Sequence, residues 1–286
     1  MKKLFRCFAI IIAVMFLTTG VRVHAEVDWT KGSGVLTATG MGMAREGAVG
    51  PQKKIWARTA AIADAQRRLA EAAVEVRVEG NTTVEMNMLA SDTVRTSVAA
   101  TLKGAQIVSE KWNDEGYYEV VMQVPIFGVG GLAQAVIPPT NTQPIPFPAP
   151  EVIPSQGAES QTSGSVSVTG ISGSDLAKGG YTGLIIDCRG LGLNPVMSPV
   201  VKNSSGVKLY GHENLNYDLV IRDGMANYAH SQSEAGRAGS NPLILKAERL
   251  DDHNANPVIS VNDGNRLLIE NGASGFLNKT AVVFLY

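Results

Sequence analysis

Cys188 is the residue whose type and neighbours come nearest to those of a catalytic nucleophile. Asp187 precedes it, and three histidines lie in the same half of the chain: His212, His230 and His253. A catalytic thiol needs a base within hydrogen-bonding distance and an exposed, electropositive setting, and the spacing establishes neither. The apolar run Leu184–Ile186 leads directly into Asp187-Cys188, which is typical of the end of a buried strand. We therefore expect Cys188 to be a core residue.

The remaining polar clusters do not have the spacing of a metal or phosphate site. The three histidines are 18 and 23 residues apart, and Asp251-Asp252-His253-Asn254 has the composition of a polar turn. The stretches Thr39-Gly40-Met41-Gly42 and Gly190-Leu191-Gly192 lack the complete phosphate-loop pattern. We predict no catalytic, cofactor-binding or metal-ligating residue, no cofactor and no enzymatic activity.

Three aromatic residues flank one predicted hairpin and form the best candidate binding surface: Trp112, Tyr117 and Tyr118. Such residues can present a platform to a glycan or a protein partner. Aromatic side chains also stabilise a hairpin by pairing across its strands, and we favour this structural role.

The elements before residue 138 predict an antiparallel sheet with helices on one face. Val35–Met43 alternates as a strand, and Gln52–Val76 has the pattern of a long helix with eight alanines between Ala57 and Ala73. Apolar residues recur every seven positions in this helix and predict its buried face: Ile55, Ile62, Leu69 and Val76. The opposite, solvated face is expected to hold Asp64, Arg68, Glu71 and Glu75, with four-residue ion pairs between Asp64 and Arg68 and between Arg67 and Glu71.

A further strand, a short helix and a hairpin complete the first unit. Val76–Met88 is predicted as a strand, Ser91–Leu102 as a helix, and Gln106–Trp112 with Tyr117–Val124 as a hairpin closed by Asn113-Asp114-Glu115-Gly116. This order of elements indicates an α+β domain.

Seven of the thirteen prolines lie between Pro138 and Pro154, and a polar, small-residue stretch, Ser155–Ser165, follows them. Prolines at alternate positions hold a chain extended, and serine and glycine make it flexible, so we predict a linker. The predicted organisation is a domain at 26–137, a linker at 138–165 and a second domain at 166–286.

The second domain is also predicted as α+β, without a repeat of the first. Its expected strands are Thr182–Asp187, Val196–Lys202, Val207–Tyr210, Leu243–Arg249, Pro257–Val261 and Thr280–Leu285. Its expected helices are Tyr217–Ser231 and Asn262–Glu270, the second capped by Asn262 and ended by Asn271-Gly272.

Residues 1–25 have the features of a cleaved export signal. Lys2, Lys3 and Arg6 precede the 11-residue apolar run Cys7–Leu17, and Val23-His24-Ala25 forms a cleavage site before Glu26. The run is shorter than the roughly 20 residues that a membrane-spanning helix needs, so no transmembrane segment is expected after cleavage.

Charge and cysteine content narrow the function classes. The predicted signal, residues 1–25, holds four basic residues and no acidic one. The mature chain would therefore carry 25 − 4 = 21 basic and 26 acidic residues, a net charge of −5. That balance does not favour nucleic-acid binding. Cys188 would be the only remaining cysteine, so we expect no intrachain disulfide and no lipid-anchoring cysteine.

Three segments of the first domain resemble the Lpp-twenty family of bacterial envelope lipoproteins, which includes flagellar basal-disk and outer-membrane ring proteins. They are Ala38-Thr39-Gly40-Met41-Gly42, the helix Ala57–Glu71 and the hairpin strand Gly116–Pro125. The resemblance covers about residues 33 to 132 and implies a role in envelope assembly. Family members commonly carry a lipid on an N-terminal cysteine. Because we expect no lipid-anchoring cysteine in this chain, we expect a periplasmic protein that is peripheral to the outer membrane at most.

The second domain looks like a tail module of unknown function that accompanies this family. The similar stretches are Tyr181–Asp187, Gly190–Pro195 and Gly239–Leu243. The leading hypothesis is a non-enzymatic exported envelope protein that self-associates or docks on envelope proteins, a flagellar ring being one such assembly. The alternative is a periplasmic binding module for cell-wall glycan or a protein partner, and a Cys188-dependent enzyme is the third hypothesis.

Overall fold

The computed structural model describes residues 25–32, 34–139, 143–151 and 177–286. The predicted signal apart from Ala25, and most of the predicted linker, lie outside these residues. No helix among the described residues has the length and hydropathy needed to cross a bilayer.

The described residues of the first domain form one four-stranded sheet, a small hairpin and four α-helices. In chain order the elements are β1 (Ala25–Asp28), β2 (Val35–Met43), α1 (Gly50–Glu75), β3 (Arg77–Glu79), β4 (Thr82–Thr83), α2 (Val84–Ala90), α3 (Asp92–Lys103), β5 (Gln106–Trp112), β6 (Tyr117–Pro125) and α4 (Leu132–Val136). The sheet has the order β1-β2-β6-β5, and all its neighbours are antiparallel. The predicted antiparallel sheet with a long alanine-rich helix is confirmed.

Helix α1 packs on the sheet through small residues. Its fully buried residues are Ala57, Ala61, Ala65, Leu69 and Ala73. These residues recur every four positions and bring the helix backbone close to Gly40 and Gly42 of β2. The predicted seven-residue stripe is wrong at Ile55, whose surface is 64% exposed, because the closest approach selects alanine rather than large apolar side chains.

Two ion pairs predicted on α1 are present, and one of them also binds the sheet. Asp64 accepts hydrogen bonds from Arg68 at 2.8 Å and from the backbone N–H of Met41 at 3.1 Å. Arg67 bridges Asp64 and Glu71. Asp64 therefore lies at the border of the helix and the sheet rather than on a fully solvated face.

The strand predicted over Val76–Met88 is right only to Thr83. From Val84 onward the chain forms α2, because the Thr83 side chain accepts the N–H of Met86 as an N-cap and Val84 is buried. The predicted helix after Ser91 is confirmed as α3, and the predicted hairpin is confirmed as β5 and β6.

The described residues of the second domain form two four-stranded sheets and two α-helices. Its elements are β7 (Gly183–Asp187), β8 (Val201–Asn203), β9 (Lys208–Tyr210), α5 (Tyr217–Asp223), β10 (Asn227–Ala229), β11 (Pro242–Lys246), β12 (Arg249–Asp251), β13 (Asn256–Ile259), α6 (Val261–Ser274) and β14 (Val282–Leu285). The first sheet, β10-β14-β7-β11, is parallel throughout. The second sheet, β12-β13-β8-β9, is mixed. The α+β class is confirmed for this domain also.

Both predicted helices of the second domain need correction. Helix α5 ends at Asp223 because Gly224 takes a positive φ of 75°, and the residues that follow form β10 rather than more helix. Helix α6 is capped by Ser260 and not by Asn262, and it continues to Ser274, where Gly275 adopts the left-handed conformation.

Candidate functional site

Cys188 lies just beyond β7 in the core of the second domain. Its side chain is fully buried, and Sγ lies 3.8 Å from the carbonyl oxygen of Ile186. Burial, with a smaller effect from the charge of Asp187, raises the pKa of the thiol to about 12. A thiol in this setting is protonated at neutral pH and closed to substrates, so the geometry agrees with the predicted core position.

The histidines and acidic residues considered for metal binding do not converge. His212 begins a 3-10 turn, His230 follows β10 with its ring 4.6 Å from that of Tyr286, and His253 lies between β12 and β13. Within the described part of the chain, no three His, Cys, Asp or Glu side chains are grouped as metal ligands.

The polar turn predicted at residues 251–254 is present, and Asp252 packs against Gly80 of the first domain. Asp252, His253 and Asn254 have consecutive positive φ values of 49°, 57° and 63°, an arrangement that costs non-glycine residues energy. Lys202 binds the carboxylates of Asp251 at 3.0 Å and Asp252 at 2.9 Å and so holds this turn in place. The acidic residues are thus engaged by a lysine.

The hairpin aromatics form a cross-strand pair. Trp112 and Tyr118 are register partners, and their ring centroids lie 6.2 Å apart. The ammonium groups of Lys53 and Lys54 lie 5.9 and 5.7 Å from the Trp112 ring. The pairing stabilises the hairpin, and it also presents a cationic and aromatic surface beside α1.

The two domains share a backbone-paired interface that the sequence analysis did not predict. The N–H groups of Met197 and Ser198 donate to the carbonyl oxygens of Arg77 and Val78 at 3.1 and 2.8 Å. Residues 196–202 were predicted as one strand of the second domain. Only Val201–Asn203 pairs there as β8, because the preceding residues pair with β3 of the first domain.

Further contacts join the domains on the side of α5. The N–H of Gly128 donates to the carbonyl oxygen of Ile221 at 2.9 Å, and the hydroxyl of Tyr217 donates to that of Ile137 at 3.0 Å. The ring of Trp29 packs edge-on against Tyr228, with centroids 5.6 Å apart.

The strongest candidate binding site is a cleft along this interface, centred on His212. Three adjoining cavities of about 260, 250 and 270 Å³ all have His212 in their walls. The first is mainly apolar and includes Leu215 and Val220. The second is polar and charged, and its walls combine Glu79, Lys202, Lys208, Glu213 and Asp252. Clefts between domains are common ligand sites, and these mixed charges suit a polar ligand or a partner segment.

The sequence did not predict the cleft because its walls come from distant segments of the chain. They include residues 78–87, 136–138, 144–145, 198–220 and 252–256. Each segment on its own has the composition of a turn or strand end. Glycines and polar residues at the ends of the predicted strands were the one indication of the cleft in the sequence. Such residues do not show which strand ends lie together in the fold.

The family comparisons divide the chain at the same place as the fold. Residues 30–125 match the LPP20 lipoprotein family, and residues 183–286 match the second domain of Treponema pallidum Tp0624. Each match covers about a third of the chain. Together they confirm the resemblance stated for the first domain and the presence of a distinct module after it. No curated protein matches the chain.

Proposed function

We propose that this chain, which joins an LPP20-type domain to a Tp0624-type module, is a non-enzymatic protein of the bacterial cell envelope with a structural or assembly role. The match at residues 30–125 carries the proposal, because the matching family is one of lipoproteins. The predicted export signal supports the same compartment.

The sheet of the first domain offers a route to self-association. Strands β1 and β5 form its two edges. Strand β5 is exposed along most of its length and includes the apolar residues Ile107 and Val108. An open edge strand presents unpaired backbone groups to another chain. Pairing of β5 in one copy with β1 in the next would be head-to-tail, the type of contact that builds rings or filaments, and a flagellar ring is one such assembly.

The mass in solution of the protein from Glu26 to Tyr286 tests this proposal. We expect an oligomer that the double substitution Ile107→Lys and Val108→Lys converts to a monomer. Val207→Lys, an exposed valine of the second domain, serves as the control and should leave the oligomer intact. A wild-type monomer at all concentrations, or an oligomer that the β5 variant retains, would contradict self-association through this edge.

A binding module for cell-wall glycan or another periplasmic partner is the second candidate function. The cleft around His212 and the Trp112 surface favour it. Saturable binding to isolated cell wall that Trp112→Ala or His212→Ala weakens would support this function. Binding of this protein to cell wall that is no stronger than the binding of a periplasmic control protein would count against this function.

A further inference from the structure

Residues 143–151, which we call the proline segment, lie against the second domain and have no regular secondary structure. Prolines occupy alternate positions: Pro144, Pro146, Pro148 and Pro150. They lack an N–H and favour an extended backbone, so the segment loses little conformational freedom when it binds a surface. Its hydrogen bonds and ring contact with the second domain come from Ile145, Phe147 and Glu151.

The backbone of the proline segment is bound at both ends by side-chain amides and main-chain groups. Near its start, the N–H of Ile145 donates to the carbonyl oxygen of Glu213 at 2.8 Å, and Asn214 Nδ2 donates to the carbonyl oxygen of Ile145 at 3.1 Å. At its end, Asn265 accepts the N–H of Glu151 at 2.6 Å and donates to the Glu151 carbonyl at 2.8 Å. These contacts recognise an extended main chain rather than a particular side chain.

Two further contacts hold the centre and the end of the segment. The ring of Phe147 is stacked on Tyr210, with centroids 6.4 Å apart and planes 6° from parallel. Tyr210 is fully buried, and its hydroxyl donates to the carbonyl oxygen of Met225 at 2.6 Å, so it is a fixed platform. Asn203 Nδ2 donates to the carboxylate of Glu151 at 2.6 Å.

The groove contains two asparagine amides that bond to the proline segment. Asn203 and Asn214 are 1% and 8% exposed, and each directs its amide nitrogen at the proline segment. Without the segment these amides would be open to water, and a peptide that offers the same acceptor groups would restore the bonds that the resident segment makes.

We propose that this groove of the second domain is a binding site for extended, proline-containing peptides, and that the proline segment of a second copy of the chain can replace the resident one. We choose a second copy as the occupant because every copy of the chain carries both the groove and the proline segment, and the structure shows that this segment fits the groove. This contact would add to the self-association proposed above, and it does not depend on the edge pairing of β5 with β1.

Phe147→Ala tests the groove, because it weakens the resident segment and leaves the groove residues unchanged. The probe is a fluorescent peptide with the sequence of residues 143–151, added to the full chain and followed by anisotropy. Because a resident competitor raises the apparent dissociation constant, we expect the variant to bind the peptide at least about tenfold more tightly than wild type. Adding Asn214→Ala and Asn265→Ala should abolish this binding, and a peptide of scrambled order should not bind.

A mixing experiment tests the second copy as occupant. One chain carries Phe147→Ala with an intact groove, and the other carries Asn214→Ala and Asn265→Ala with an intact segment. Both also carry Ile107→Lys and Val108→Lys, which removes edge pairing and separates this test from that of the proposed function. We expect a one-to-one complex only in the mixture, detected by native mass spectrometry.

Two results would overturn the proposal. The first is a folded Phe147→Ala chain, with a native circular dichroism spectrum, that shows no saturable peptide binding. The second is peptide binding without any complex in the mixture, because it would exclude a second copy as the occupant.

Discussion

Replacing Gly40 by alanine is expected to force α1 away from the sheet of the first domain. The added carbon would lie 2.2 Å from the carbonyl oxygen of Ala61 and 2.3 Å from the amide nitrogen of Ala65. Both are backbone atoms of the helix, so no side-chain rotation can relieve the contact. The φ of Gly40 is not positive, so the effect is steric and not conformational.

The magnitude follows from the size of this overlap. Ordinary contacts between carbon and other heavy atoms are about 3.5 Å, so the helix must move by roughly 1 Å along its closest contact. That movement loosens the packing around Leu69, which is fully buried on the same face. Overpacking of a core typically costs about 1–3 kcal/mol, and we expect a value near the upper end, about 3 kcal/mol.

Thermal unfolding followed by circular dichroism measures this loss. For a cooperative unit of this size, about 3 kcal/mol lowers the Tm by about 6–12 °C. The control is Gly272→Ala in α6, where an added carbon meets no atom within 4 Å. It should raise stability by up to about 1 kcal/mol, since alanine is the better helix former. A Gly40→Ala protein with an unchanged Tm would refute the close packing of α1 on β2.

Three other results are expected. Arg237→Met should destabilise the second domain by about 3 kcal/mol in urea unfolding, because the change removes the hydrogen bonds that the partly buried guanidinium donates to the carbonyl oxygens of Asp223, Gly224 and Thr280. Cys188 should react with a thiol reagent at neutral pH only after denaturation, as mass spectrometry would show; rapid labelling of the native protein would contradict its burial. The hydrogen bonds of Lys202 lower the pKa values of Asp251 and Asp252 from the ordinary 3.8, so their stabilising contribution is present above about pH 4 and is lost as the pH falls through the lowered values. Lys202→Met should weaken the dependence of the unfolding free energy on acid pH, as measured by urea titrations. An unchanged pH dependence would show that this ion-pair network is not its source.

The first domain was predicted better than the second because its main elements are long, and because α1 with β2 and β5 with β6 are neighbours along the chain. The hairpin of β5 and β6 and the helix α1 were identified with small errors at their ends. The buried face of α1 was not, because the seven-residue spacing of Ile55, Ile62 and Leu69 looks like a core stripe. Only the presence of Gly40 and Gly42 on the partner strand shows that alanines must face it.

The second domain was predicted less well because its strands are short and several pair in parallel across long stretches of chain. Strand β10 has three residues and pairs with β14 more than 50 positions later, a contact that no local pattern contains. The residues of β10 continue the pattern of α5, and Gly224 alone marks the boundary between them. The cleft around His212 and the groove of the proline segment share this origin, since each combines residues from distant turns.

The position of Met197 gives a physical reason for the attachment of the second domain to the first. Its side chain is 1% exposed and packs in the core of the first domain, together with Ile126 and Leu132. The backbone pairing of residues 197–198 with β3 places it there. Burying one methionine stabilises by about 1.5–3 kcal/mol, and the bonds to β3 add to this. The second domain thus completes the core of the first, and separation of the two domains would expose this methionine to water.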